Sequence, residues 1–94
     1  MKSRYKQVSD LTSIPNVGKA TAEDLHLLGL HNPDALIGQD PYQMHQQLEA
    51  ITGKRHDPCV IDVFIAAVRY MEGHDAKNWW DYTAERKAYL AGRK

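Results

Sequence analysis

The segment from Cys59 to Met71, CVIDVFIAAVRYM, is apolar around nearly its whole circumference, with Asp62 and Arg69 as its only charges. A helix of that composition has no face to give to water and belongs in the middle of a domain. It is too short for a bilayer, which takes ~20 apolar residues. A chain of 94 residues builds one core, because domains typically hold about 100 to 150 residues. Every other element must therefore wrap around this helix. Such a core covers roughly 60 to 65% of the unfolded surface, which implies modest stability and leaves little depth for a water-excluding active site.

The wrapping elements are marked by their ends. Asn32-Pro33, Asp40-Pro41 and Asp57-Pro58 each place a capping side chain before a proline at the first helical position. Gly29, Gly38, Gly53 and Gly73 stand where the preceding helices should stop. No segment alternates as a half-buried strand does. The pattern predicts a single all-α domain over residues 1–94, with five or six short helices. The first spans about Arg4 to Thr12, with Tyr5, Val8 and Leu11 on one side, and the second about Lys19 to Leu28, with Ala22, Leu25 and Leu28 inward. A short one covers Pro33 to Ile37. Pro41 to Thr52 follows, with Met44, Leu48 and Ile51 in one stripe. Beyond the central helix, the last runs from about Trp79 to Leu90, with Trp79, Tyr82, Arg86 and Tyr89 near one face.

Charge narrows the partners. Twelve Lys and Arg balance twelve Asp and Glu, so no global field draws in nucleic acid. Basic residues gather at the ends instead: Lys2, Arg4 and Lys6, then Arg86, Lys87, Arg93 and Lys94. They would form a local patch if the ends meet. Cys59 is the only cysteine, which excludes an intramolecular disulfide and points to a reducing compartment. With no apolar leader in MKSRYKQVSD and no membrane span, the expected location is the cytoplasm.

The stretch IPNVGKATAEDL, Ile14 to Leu25, reads as a reversal between two helices. Pro15 stops the first, because the residue before a proline avoids the α region. Asn16 and Gly18 best accept left-handed backbone angles, and Ile14 and Val17 point down to pin the turn. The amides around Gly18, Lys19, Ala20 and Thr21 are then unpaired at a helix start, where the dipole favours an anion. That arrangement suits a phosphate oxygen, with Gly18 permitting close approach and Lys19 supplying a cation. Contacts to phosphate carry no base information. Gly18-Lys19-Ala20-Thr21 is not a P-loop, which needs a glycine where Ser13 stands and a preceding strand.

IPNVGKATAEDLHLLGLHNPDAL resembles the helix-hairpin-helix motif: an apolar residue, small residues around a second apolar one, then A-x-x-L and a closing L-G. The resemblance implies a compact SAM-like domain. It also implies phosphate contacts by amides near Gly18, Ala20 and Thr21, and a monovalent cation held by the carbonyls of Thr12, Ile14 and Val17. Asn16 stands where a glycine is common in the motif and puts a side chain near the phosphate path. A wider likeness, from about Asp10 to Trp80, joins this block to GQDPYQMHQQLEAITGKRHDPCVIDVFIAAVRYM and the Trp79-Trp80 pair. It resembles the small bacterial pathogenicity-locus, or mitomycin-resistance-like, family. That likeness makes LEAITGKRHDPCV a degenerate second hairpin, in which Lys54 and Arg55 would grip a neighbouring phosphate.

The expected function is sequence-independent binding of double- or single-stranded DNA through its backbone, at Asn16, Gly18, Lys19, Ala20, Thr21, Lys54 and Arg55, improved by a homodimer or protein partner. The alternative is a protein-interaction adaptor using the hairpin as scaffold. No grouping of carboxylates, serine and histidine, or glycine-rich strand turn suggests an enzyme, and no cofactor beyond the cation is implied. His56 and Cys59 have an H-x-x-C spacing, and His74 would have to join them. A structural zinc site takes four ligands, so Cys59 reads first as a small residue at the head of the central helix, though a helix start would favour its thiolate. Asp57 reads as an N-cap, and Glu23, Asp24 and Asp62 as helix charges or core partners. Trp79 and Trp80 diverge by about 100° on a helix, so one should anchor in the core and the other lie at an edge.

Overall fold

A computed structural model describes residues 9–92. Among them the chain forms four α-helices: α1 (Lys19–Leu27), α2 (Pro41–Thr52), α3 (Cys59–Met71) and α4 (Thr83–Ala91). Three 3-10 turns lie at Leu11–Ser13, Pro33–Leu36 and Trp79–Tyr82, and there is no strand. The all-helical expectation holds. No described helix is long and apolar enough to cross a membrane.

Two of the three start signals act as read, and the third is displaced by one residue. Asn32 Oδ1 accepts from the Ala35 amide at 3.1 Å, and Asp40 Oδ1 accepts from Tyr42 at 2.9 Å. At α3 the N-cap is Pro58, already helical and without a side-chain cap, so Asp57 lies one residue before the position expected of it, although its Oδ1 accepts from Cys59 N at 2.8 Å. At the other end of α2, Gly53 takes φ 71° and its amide closes on Glu49 O, a left-handed stop that glycine adopts without penalty.

α3 occupies the centre. Phe64, Ala67, Val68 and Met71 face a cluster built from Leu11, Ile14, Val17, Leu25, Leu36, Met44 and Leu48, all buried. Each large apolar side chain fully buried there contributes about 1.5–3 kcal/mol. The opposite side of α3 buries Ile61, Ile65 and Ala66 under Tyr82, with Tyr42 and Leu90 alongside. This second cluster is small, and α4 is held to it by directional contacts as well. Asp62, fully buried, accepts from Arg86 Nε at 2.9 Å and Nη2 at 3.2 Å, and from Thr83 Oγ1 at 2.7 Å. Arg69 donates to Glu85 through both terminal nitrogens. The reading of Asp62 as a core partner is correct, and Arg86 is that partner.

Several expectations change. The helix expected over Arg4 to Thr12 lies partly outside the described residues, with Tyr5 and Val8. Where described it is no helix: Asp10 is extended and caps a fresh 3-10 turn, its carboxylate accepting from Ser13 N and Thr12 Oγ1. The final helix opens as a 3-10 turn, because Asn78 and Asp81 bond reciprocally across Trp79–Tyr82. Ile51 is 52% exposed. It sits in the last turn of α2, beyond Leu48, where the stripe has already left the core. Leu28 is half-buried at the end of α1.

Candidate functional site

The turn before α1 is assembled from short hydrogen bonds. Ile14 N donates to Leu11 O, and Val17 N to Ile14 O, each at 3.1 Å. Between them Asn16 takes φ 72°, the left-handed region expected of it. Ile14 and Val17 are buried as pins beneath it. Gly18 differs from the expectation. Its backbone is extended (φ −92°, ψ −171°), a conformation open to any residue, and a Cβ added there would meet nothing within 4 Å. Glycine at this position is therefore not demanded by the turn; its effect is to leave the helix start uncovered.

That start has no side-chain cap. The first intrahelical bond runs from Ala22 N to Gly18 O at 2.9 Å, so the amides of Lys19, Ala20 and Thr21 precede the ladder and await acceptors. Lys19 and Ala20 are exposed and Thr21 half-buried. A compact set of backbone donors thus lies where the helix dipole is positive, with Lys19 exposed at the same helix end.

The Asn16 side chain is engaged elsewhere. Its Nδ2 donates to Lys77 O at 2.6 Å, and its Oδ1 accepts from Trp79 N at 3.2 Å. One amide thereby fastens the segment after α3 across the hairpin turn. A concavity of about 240 Å³ lies along this contact, lined by Pro15, Asn16, Ala76, Lys77, Asn78 and Asp81. Trp79 is half-buried, while Trp80 is 57% exposed and meets Trp79 edge to face at 5.5 Å. Nothing in the sequence pairs Asn16 with residues 77–79, since they are more than sixty positions apart. Lys77 was missed for the same reason.

Lys54 and Arg55 are exposed in the loop after α2. Arg55 lines a second concavity of about 570 Å³ with His45, Glu49, His56, Asp57 and Pro58. It shares no lining residue with the first. Polar groups here are already matched: Glu49 Oε2 accepts from the His56 amide at 2.8 Å, His56 Nε2 pairs with Thr52 Oγ1 at 2.8 Å, and His45 Nε2 with His56 O at 3.1 Å. The His56 amide holds the Glu49 carboxyl below its ordinary value. The Cys59 amide does the same for Asp57. Both act as anions beside Arg55, which lowers the attraction of this loop for phosphate.

Cys59 is half-buried, and its hydrogen bond to Asp57 pushes the thiol up. The expected preference for thiolate is therefore reversed, because the neighbouring carboxylate outweighs the helix start. No third ligand joins His56 and Cys59: among the described residues no three His, Cys, Asp or Glu gather as a metal group. Of the carbonyls named for a monovalent cation, that of Ile14 already accepts from Val17 N. The terminal basic patch loses Arg86 to the buried pair with Asp62, and Lys2, Arg4, Lys6, Arg93 and Lys94 lie outside the described residues.

Comparison with known proteins matches the model of a family described as "Pathogenicity locus" (Cdd1) over residues 4–88. The chain is also 40% identical over 84 residues to the mitomycin resistance protein McrB of Streptomyces lavendulae, covering 89% of this chain and 80% of that protein. No solved structure matches it.

Proposed function

The chain belongs to the pathogenicity locus family, and on that footing we propose that it is a non-enzymatic, cytoplasmic helix-hairpin-helix protein that binds the phosphate backbone of nucleic acid without reading sequence. The observation that carries this reading is the opening of α1. Asp40 caps α2 with its carboxylate, and Asp57, one residue before the N-cap of α3, still takes that helix's first amide, whereas α1 begins on Gly18 with no side-chain acceptor and Lys19 beside it. An anion from outside completes that start. Ala20 and Thr21 supply the remaining amides. Lys54 and Arg55 make at most a supporting contact, and Asn16 acts by holding the turn to Lys77 and Trp79. Should the turn hold a monovalent cation, Thr12 and Val17 offer the carbonyls for it.

A specific observation favours the second reading, a protein-interaction adaptor. Trp80, Leu27 and Ile51 are each more than half exposed, and large exposed apolar groups mark contact surfaces where they adjoin.

Fluorescence anisotropy separates the two. Labelled double- and single-stranded DNA is titrated with the protein at several salt concentrations, beside Gly18→Val. The extended backbone and open space at Gly18 let this variant fold, which circular dichroism checks. The expected result is binding whose log–log salt slope is near −2, from about two neutralised phosphates, and which the variant loses. Absence of binding at low salt and high micromolar protein would overturn the reading and leave the adaptor.

A further inference from the structure

We propose that His26 and His31 together hold one divalent transition-metal ion through their Nδ1 atoms, at a surface site on the end of α1 remote in sequence from the hairpin turn. The two Nδ1 atoms lie 2.8 Å apart, with ring centroids 5.0 Å apart and planes inclined by 39°. Both side chains are exposed, so an ion and its remaining water ligands have open access.

The spacing of five residues does not stack side chains on a helix, where neighbours are three or four apart. The pair is made by the way α1 ends. Gly29 reverses the chain at φ 84°, Gly29 N bonds to His26 O at 3.0 Å, and Leu30 N to Leu25 O at 2.9 Å. Leu25 and Leu30 are buried on either side of the reversal. Directly after His31, Asn32 caps the next turn and Pro33 is buried. Both histidine backbones are thus fixed by structure that does not involve the rings, and only side-chain torsions remain to adjust.

A metal–imidazole bond is about 2.0–2.1 Å. Two such bonds at a right angle put their nitrogens about 2.9 Å apart, and a tetrahedral pair about 3.3 Å. The observed separation fits adjacent corners of a square or octahedral sphere, the preference of Cu(II) and Ni(II), and Cu(II) is the tightest binder of its series. Without a metal, one ring must carry its proton on Nδ1 to bond the other. Coordination takes the lone pairs of both Nδ1 atoms, so that proton moves through solvent to Nε2 of the same ring and the pair stays neutral. No cluster of three or more His, Cys, Asp or Glu forms among the described residues, so water fills the remaining positions.

The test is titration of the intact chain with Cu(II) and Ni(II) by calorimetry in a non-coordinating buffer, with His26→Gln, His31→Gln and, as a control, His45→Gln. One equivalent should bind. Each of the first two variants should weaken it by at least about tenfold, because the second ligand of a chelate acts at high effective concentration. His45→Gln should leave it unchanged. Electron paramagnetic resonance of the unaltered protein with one equivalent of Cu(II), which needs no variant, should show coupling to two imidazole nitrogens. No binding, binding untouched by both variants, or dependence on only one ring would each overturn the proposal.

Discussion

The turns that open α1 and α3 follow the same plan and differ in what they leave unpaired. Each reverses the chain near a residue at positive φ, Asn16 in one and Gly53 in the other, and each delivers basic residues to the surface. At α3, however, Asp57 takes the first amide, Glu49 takes the amide of His56, and Thr52 closes on His56. At α1 the only polar side chain of the reversal, Asn16, turns away to Lys77 and Trp79, and Gly18 caps nothing. On the proposed reading, a phosphate site is made here by withholding a cap, and a run of basic residues does not substitute for it.

The largest effect should follow from treating the α3 opening as structure. Asp62, one turn below the α3 start, is buried with Arg86 and Thr83 bonded to it. Asp62→Ala leaves the guanidinium buried without a partner, which costs about 3–5 kcal/mol. Denaturant unfolding should show a loss of that order. A much smaller loss would mean that α4 is held by its apolar contacts, and that the region after α3 is less polar in its attachment than the hydrogen bonds suggest.

Next in size is the turn before α1. Asn16→Ala forfeits two hydrogen bonds, each about 0.5–1.5 kcal/mol, and places a residue less suited to φ 72° where a left-handed backbone costs about 1–2 kcal/mol. We expect about 2–5 kcal/mol in all. Asn16→Gly keeps the backbone and should lose only the bonds, about 1–3 kcal/mol. Equal losses from the two would show that the clamp on residues 77–79, and not the turn conformation, is what Asn16 supplies.

The helix punctuation was legible because it is local: a cap, a proline and a glycine act within four residues. So was α3, since a segment apolar all round has only one place to go. Asn16 was legible as a left-handed residue and illegible as a clamp, because its partners come from the other side of the domain. The pairing of Asp62 with Arg86 was half legible. A lone acid in an apolar helix demands a partner, but the pattern does not say which base. Gly18 misled, since its glycine suggested a backbone need that the extended conformation does not have. His26 and His31 escaped notice because helical spacing does not bring them together; the Gly29 reversal does.

A direct transplant sharpens the contrast at α1. Gly18→Asp gives this helix the carboxylate cap that α2 owns, and the backbone and space there accept it. Folding stability should rise by a few tenths of a kcal/mol. Nucleic-acid binding should fall at least about tenfold, or about 1.4 kcal/mol, as the carboxylate occupies the donors and repels phosphate. Gly18→Ser caps without charge and should lose less. Unchanged binding in Gly18→Asp would remove the α1 start from the interface.

The smallest effect is on pH. Asp57 is held below its ordinary value by the Cys59 amide, so folding is favoured by its charged form. Its contribution is present above the ordinary carboxylate value of 3.8 and is lost as the pH falls through the lower, folded value. Glu49, held down by the His56 amide, follows the same sign from 4.5. The α1 start carries no carboxylate in its first turn; the carboxylate nearest its approach, Asp10, is held below its ordinary value by Thr12 and Ser13. Melting temperatures followed from pH 6 to the acid limit should therefore fall less steeply for Asp57→Asn, whose uncharged side chain still accepts a hydrogen bond, than for the unaltered chain. Parallel curves would place the acid sensitivity at Glu49 or at other carboxylates. The two openings would then differ in their hydrogen bonds and not in their response to protons.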